Sequence, residues 1–102
     1  METEKQVESY LKQKVEETGG LCYKFMSPGR VAVPDRICVF PSGLLAFVEC
    51  KGNKGKLTPK QKREVHRLQD LGHYAFLVNS KYHVDILILW ATEVMSDEST
   101  DV

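Results

Sequence analysis

Residues 35–51, with the sequence DRICVFPSGLLAFVECK, decide the fold of this chain. The segments 35–40 and 44–51 are rich in apolar and β-branched side chains, which predicts two strands. Pro41-Ser42-Gly43 lies between them, and a three-residue hairpin loop is commonly a type I turn followed by a left-handed residue. We therefore expect a hairpin in which the numbers of facing residues sum to 84.

This register pairs Phe40 with Leu44 and Asp35 with Glu49. Facing residues point to the same side of a hairpin, with Cβ atoms about 4.5–5.5 Å apart. Lys51 lies two residues beyond Glu49 and shares that side. Two carboxylates at this distance repel each other and raise one pKa. A divalent cation removes this conflict, so the cluster predicts a metal-assisted attack on a phosphate, with Lys51 stabilising the transition state.

The side chains between these charges are apolar on both faces of the predicted hairpin. One face carries Ile37, Val39, Leu45 and Phe47, and the other carries Cys38, Phe40, Leu44, Ala46, Val48 and Cys50. We expect helices or a second subunit to cover both faces. A solvated Glu49–Lys51 pair at a sheet edge is the alternative interpretation. Charges that interrupt a buried pattern at one end of a sheet favour a functional site.

The remaining elements follow from periodicity and capping signals. Thr3 with Gln6, and Thr58 with Gln61, form capping-box patterns. The predicted helices cover residues 4–18, residues 59–71 and a last segment that ends at about residue 95. The predicted strands cover residues 21–26, 35–40, 44–51 and 74–78. A strand over residues 84–90 is the alternative to part of the last helix. The order α-β-β-β-α-β-α predicts an α/β domain over residues 1–95, followed by an acidic, disordered tail over 96–102.

Composition limits the possible classes of protein. The 102 residues include 14 Lys and Arg and 14 Asp and Glu, so the net charge is zero and a uniformly basic coat is excluded. The three cysteines cannot all pair within one chain and lack metal-binding spacing. The charged N-terminus is unlike a signal peptide, and the apolar run from Ile86 to Ala91 is too short to span a bilayer. We expect a cytoplasmic protein without a membrane partner.

Several motifs of this chain occur together, in order, in one known family. Pro34-Asp35, a hairpin and then Glu49-Cys50-Lys51 resemble the PD-(D/E)xK nuclease motif. The full set resembles the VRR-NUC family, the virus-type replication-repair nucleases found alone in phages and bacteria and as a domain of a eukaryotic repair nuclease. The set comprises Gly19-Gly20, Lys24, Ser27-Pro28-Gly29, Val33-Pro34-Asp35-Arg36, Phe47-Val48-Glu49-Cys50-Lys51-Gly52 and Gln61. One departure is Ala32, where the family usually has glycine.

The resemblance implies a restriction-endonuclease-like core with a mixed sheet, in a bacterial or phage-infected cell. It implies that Asp35, Glu49 and the backbone carbonyl of Cys50 bind Mg²⁺ or Mn²⁺, and that Lys51 assists the attacking water. A glutamate of the first helix often completes such a site. Glu8 is the expected one, Glu4 lies one turn earlier, and a solvated surface role is the alternative for Glu8. Gln61 matches a glutamine near the family's active site and is equally well explained as the capping partner of Thr58.

A basic segment predicts a nucleic-acid partner. Residues 51–67 hold seven Lys and Arg and one acid, and so carry a charge of +6. A solvated helix face is the usual explanation of such a run, but a neighbouring metal cluster favours DNA. The residues expected to contact DNA are Arg30, Arg36, Lys54, Lys56, Lys60, Arg63 and Arg67. No base-reading element is evident, so we expect recognition of the backbone and of DNA shape.

The last helix is apolar around most of its circumference, with Ile86, Leu87, Trp90 and Val94 on different sides. One side is expected to pack on the sheet and the other to form a dimer surface. The resemblance to homodimeric junction resolvases agrees with this expectation. The sequence thus predicts a divalent-metal-dependent DNA endonuclease that resembles Holliday-junction resolvases, cuts branched DNA as a homodimer and needs no small-molecule cofactor. A flap, end-processing or nicking nuclease, a non-catalytic DNA-binding module and a structural interaction protein are the alternatives.

Overall fold

The computed structural model describes residues 1–100, and the side chains of residues 1–97. Within that range the elements are α1 (Glu4–Glu17), β1 (Leu21–Lys24), β2 (Arg36–Val39), a 3₁₀ turn (Pro41–Gly43), β3 (Leu45–Cys50), α2 (Pro59–Asp70), β4 (Tyr74–Val78) and α3 (Lys81–Thr100). The predicted element order is confirmed, and so is the α/β class with a mixed sheet flanked by helices.

The sheet has the order β1-β2-β3-β4. The two hairpin pairs are antiparallel, while β4 runs parallel to β3 after the α2 crossover. The register of β2 on β3, from Arg36 opposite Val48 to Val39 opposite Leu45, is the predicted one. The loop differs from a type I turn because Ser42 as well as Gly43 has positive φ. The loop still closes the hairpin within three residues.

Helices α1 and α3 cover one face of the sheet. Thr3 and Gln6 exchange the two hydrogen bonds of the predicted capping box at the start of α1. Apolar residues spaced three and four apart turn one side of each helix toward the sheet. The core they form includes Val7, Leu11, Val15, Cys38, Phe40, Ala46, Val48, Cys50, Val84, Leu87 and Ala91. This packing fixes α1 across the strands that carry the charged residues.

The opposite face is only partly covered. Val65 of α2 and Ala75 of β4 are buried, whereas Ile37 and Phe47 are half-buried and Leu45 is exposed. The expectation that both faces are covered is therefore met fully on one face and partly on the other. Asp35, Glu49 and Lys51 lie on this more open face.

The C-terminal helix is longer than predicted. Residues 81–100 are helical, so the strand alternative for 84–90 is wrong, and residues 96–100 of the predicted disordered tail continue α3. Half-buried Val94 and Met95 carry the packed side of the helix up to its predicted end. Residues 101 and 102 of that tail lie outside the described residues. Among the described residues, no helix is long and apolar enough to cross a membrane.

Candidate active site

Asp35 and Glu49 form a close cross-strand pair at the end of the β2–β3 hairpin. The Phe40 N–H donates to the Leu44 carbonyl at 2.8 Å, which makes that pair a hydrogen-bonded one. Alternation along the ladder then makes Asp35–Glu49 a non-hydrogen-bonded pair, the type in which facing side chains come closest. The Asp35 carboxylate is held in place because its Oδ2 accepts the N–H of Cys50 at 2.9 Å.

Pro34 cannot donate a backbone hydrogen bond to the neighbouring strand. The same alternation places Pro34 opposite Cys50 at a hydrogen-bonded position, but proline has no N–H to donate. The N–H and C=O of one strand residue point to the same side, and the N–H of Cys50 points to Asp35. An extension of the β2–β3 register would therefore supply no donor from Pro34 to the Cys50 carbonyl.

Glu49 is a buried carboxylate with one oxygen unpartnered. Its exposed fraction is 3%. Oε2 accepts from Nε2 of Gln61 at 3.2 Å and lies 3.7 Å from Nζ of Lys51. Among the described residues, Oε1 has no hydrogen-bond partner. Burial, and then the charge of Asp35, raise the pKa of Glu49 to about 8. A divalent cation would bind the unpartnered oxygen and would offset the repulsion between the two carboxylates.

Lys51 is anchored at the point where three segments meet. Its N–H donates to the Val78 carbonyl at 2.9 Å, which ties the end of β3 to β4. The next residue, Gly52, lies against the start of α1. A Cβ on Gly52 would come within 3.0 Å of the Glu4 nitrogen and 3.1 Å of the Glu2 carbonyl oxygen. The glycine therefore lets the N-terminus of α1 approach the lysine end of β3.

The two candidate glutamates of α1 have different surroundings. Oε2 of Glu8 accepts from Nε of Arg36 at 2.7 Å. Arg36 follows Asp35 in the strand and points to the opposite face of the sheet. The structure therefore joins Glu8 to Arg36 instead of grouping it with Asp35 and Glu49. The charge of Glu4 also raises the pKa of Glu49, by less than burial and the charge of Asp35 do.

Gln61 fills both of its predicted roles. Its Oε1 accepts the N–H of Thr58 at 3.0 Å, which completes the capping box of α2. Its Nε2 donates to Glu49, as described above. The start of α2 is thus fixed next to the carboxylate pair.

Most of the predicted DNA-contacting residues are exposed, and one is not. Lys54, Lys56, Lys60, Arg63 and Arg67 are exposed on the loop and on α2, as is Arg30 on the loop after β1. Arg30 and Arg67 lie 3.1 and 4.0 Å from the carboxylate of Glu64. Arg36 is only 8% exposed. The prediction that Arg36 extends the DNA surface is wrong, and the period-two alternation after Asp35 could have excluded it.

A polar network that sequence reasoning missed holds the start of α1 to the loop after Lys51. The Glu2 N–H donates to Oδ1 of Asn53 at 2.6 Å, and the Asn53 N–H donates to the Glu2 carbonyl at 3.0 Å. Nδ2 of Asn53 donates to the Asn79 carbonyl at 3.0 Å, and the Glu2 carboxylate accepts the N–H of Lys81 at 2.9 Å. These contacts join residues far apart in the chain, so no local pattern signals them.

The donor set fits a hard divalent cation. Within the described part of the chain, no three His, Cys, Asp or Glu side chains group closely enough to form a metal cage. Mg²⁺ characteristically uses only one or two carboxylates, with waters and phosphate oxygens as the other ligands. A carboxylate pair, a lysine two residues on and a basic helix beginning beside them match the arrangement that the PD-(D/E)xK motif predicts.

Comparisons with known proteins identify the family. No family model matches the chain. Over 78 residues it is 46% identical to "Putative nuclease p44" of Acyrthosiphon pisum secondary endosymbiont phage 1, a match that covers 76% of this chain and 84% of that protein. It is also similar to a solved structure described as "VRR_NUC domain", with a TM-score of 0.80 and 37% identity over 86% of this chain and 96% of that one. The chain belongs to the VRR-NUC family and is a nuclease.

Proposed function

We propose that this chain is a divalent-metal-dependent DNA endonuclease that cuts branched DNA as a homodimer, in the manner of a Holliday-junction resolvase. The observation that carries the metal dependence is the buried, unpartnered Oε1 of Glu49 beside the Asp35 carboxylate. In this proposal Asp35, Glu49 and the Cys50 carbonyl hold Mg²⁺ or Mn²⁺, and Glu4 takes the part that the sequence assigned to Glu8. A divalent cation held by these groups would supply a water of lowered pKa and would neutralise charge on the scissile phosphate.

The side chains around the carboxylates position the reacting groups. Gln61 holds Oε2 of Glu49, so that Oε1 stays free for the metal. The Lys51 ammonium lies 3.7 Å from that carboxylate. At this position it orients the attacking water and stabilises the negative charge that develops on the phosphate. Glu49 would have to lose its proton on binding a cation at neutral pH, because its pKa is raised to about 8.

The basic surface supports DNA as the substrate. Lys54 and Lys56 on the loop after β3, and Lys60, Arg63 and Arg67 on α2, are exposed. Because α2 begins beside Glu49, cations along it lead a phosphate backbone toward the carboxylate pair. Such contacts are independent of sequence and weaken steeply with salt.

An apolar surface beside the sheet edge supports the homodimer. β4 is the last strand of the sheet. A groove of about 380 Å³ between β4 and α3 is lined by Phe76, Ile86 and Trp90, among other residues. Tyr74 and Leu89, together with Ile86, are exposed. Two copies joined here by a two-fold axis would present two active sites to a symmetric branched substrate.

The test uses four end-labelled DNAs: a four-way junction, a flap, a continuous duplex and a single strand. Each is incubated with Mg²⁺, Mn²⁺ or EDTA and with wild type, Lys51→Ala or the matched control Lys54→Ala. The proposal expects metal-dependent cuts, the junction as the preferred substrate, a strong loss in Lys51→Ala and a small one in Lys54→Ala. Sedimentation measures the oligomeric state.

Each other outcome selects a different function. A preference for the flap would favour an end-processing nuclease, and equal cutting of all duplexes would favour a nicking enzyme. Salt-sensitive binding without cleavage under any metal would favour a non-catalytic DNA-binding module. A monomer in sedimentation would contradict the homodimer.

A further inference from the structure

The loop that follows β1 has a rigid tip. The Arg30 N–H donates to the Ser27 carbonyl at 3.1 Å, and Ser27 and Arg30 form an isolated antiparallel bridge. Pro28 and Gly29 are the central residues, and Gly29 has a φ of +83°. Proline followed by a left-handed glycine is the signature of a type II turn. The tip is therefore a defined turn with a fixed shape.

Two apolar side chains stand exposed at the base of this turn. Met26 directly precedes the Ser27–Arg30 bridge and Val31 directly follows it. Met26 is 85% exposed and Val31 is 92% exposed. A single exposed apolar residue is ordinary, but two of them that flank one hydrogen-bonded turn beside Asp35 indicate a contact surface.

The turn borders Asp35, one of the two carboxylates of the proposed site. Met26, Val31 and Asp35 line one concavity of about 380 Å³. Phe25 connects the two features, because its N–H donates to the Asp35 carbonyl at 2.8 Å. Met26 and Val31 therefore lie at the border of the proposed site, in the same concavity as Asp35.

The charges around the turn indicate which kind of ligand this surface would bind. Arg30 and Arg67 both lie within 4.0 Å of Oε1 of Glu64, so this group of three carries a net positive charge. A nucleotide whose base has left the stack offers both features, an apolar base face and a negatively charged phosphate. A purely apolar protein surface or an acidic peptide would satisfy only half of this surface.

We propose that Met26 and Val31 take the face of an unstacked base and thereby select DNA whose stacking is interrupted, such as a branch point. This inference rests on the proposed function, in that DNA is the substrate. In a continuous duplex every base face is covered by its neighbours, so an apolar wedge must first unstack them. At a branch point the stack is already open, and the contact forms without that penalty.

Equilibrium binding in EDTA tests the wedge separately from cleavage. The DNAs are a four-way junction and a continuous duplex with the sequence of its arms, and a 2-aminopurine at the branch point reports the surroundings of the base. The proteins are wild type, the double variant Met26→Ser/Val31→Ser, the apolar double variant Met26→Leu/Val31→Ile, and Leu71→Ser. Leu71 is 70% exposed and follows the far end of α2, so Leu71→Ser is the matched control.

We expect wild type to prefer the junction and the serine double variant to lose about tenfold of that preference, with its duplex affinity within about twofold. The apolar double variant and Leu71→Ser should behave as wild type. An unchanged preference, an equal loss on both DNAs, or no preference in wild type would overturn the wedge. A changed oligomeric state in the serine variant would assign the surface to a protein contact instead. Absence of cleavage with Mn²⁺ would overturn the nuclease chemistry without altering this binding result.

Discussion

Replacing Glu49 by glutamine should stabilise the metal-free protein at alkaline pH. Burial and the charge of Asp35 raise the pKa of Glu49 from 4.5 to about 8. The folded protein thus holds this proton more tightly than the unfolded chain does. The resulting stabilisation is complete below about pH 4.5 and is lost as the pH rises through about 8. A rise of this size in the pKa corresponds to a free energy of about 5 kcal/mol, which is a large part of the stability of a small domain.

Urea unfolding in EDTA at pH 5 and pH 9 measures this effect. Glu49→Gln keeps the shape of the side chain and an oxygen for Gln61, but it cannot ionise. We expect wild type and variant to have similar free energies of unfolding at pH 5, and the variant to be more stable by a few kcal/mol at pH 9. Glu16→Gln, at a surface ion pair with Lys12, is the control and should show no such pH dependence. An equal difference between Glu49→Gln and wild type at both pH values would refute the reasoning.

Three further substitutions test other parts of the site. Lys51→Ala should lower the single-turnover cleavage rate by about a hundredfold or more while Mn²⁺ affinity, measured by calorimetry, stays within a few-fold; a parallel loss of both would show that the lysine supports the metal site instead. Glu8→Gln and Arg36→Met should each destabilise the fold by about 3 kcal/mol in urea, because each leaves a partly buried charge unpaired, and the double variant should lose less than both together. Glu8→Gln should leave Mn²⁺ affinity unchanged, and a large fall would return Glu8 to the metal site. Gly52→Ala should lower the melting temperature and the cleavage rate together, because its Cβ would press on the backbone of Glu2 and Glu4; a wild-type melting curve would contradict that packing.

The parts of the structure set by local chemistry were predictable. The three-residue loop Pro41-Ser42-Gly43 sets the register of the hairpin. Continued by one residue beyond Arg36 and Val48, that register places Asp35 opposite Glu49. Capping boxes are contacts within four residues, so both helix starts were found at Thr3 and Thr58. The family resemblance rests on the same motifs.

The parts set by packing between distant segments were not predictable in the same way. The Glu8–Arg36 contact depends on how α1 lies across the sheet, which no local spacing specifies. The Glu2–Asn53 network likewise needs the folded loop after Lys51. The position of Arg36 is the exception, because the alternation of a strand places it on the face opposite Asp35 once the register is known.

The most direct test of the central claim is calorimetric titration of Mn²⁺ at pH 7 in two buffers with different ionisation enthalpies. The proteins are wild type, Asp35→Asn, Glu49→Gln and the surface control Glu16→Gln. We predict that wild type and the control bind Mn²⁺ with release of close to one proton, because Glu49 must ionise, and that both site variants lose at least about tenfold in affinity. Wild-type affinity in Asp35→Asn and Glu49→Gln, or binding without proton release, would contradict a metal held between these two carboxylates.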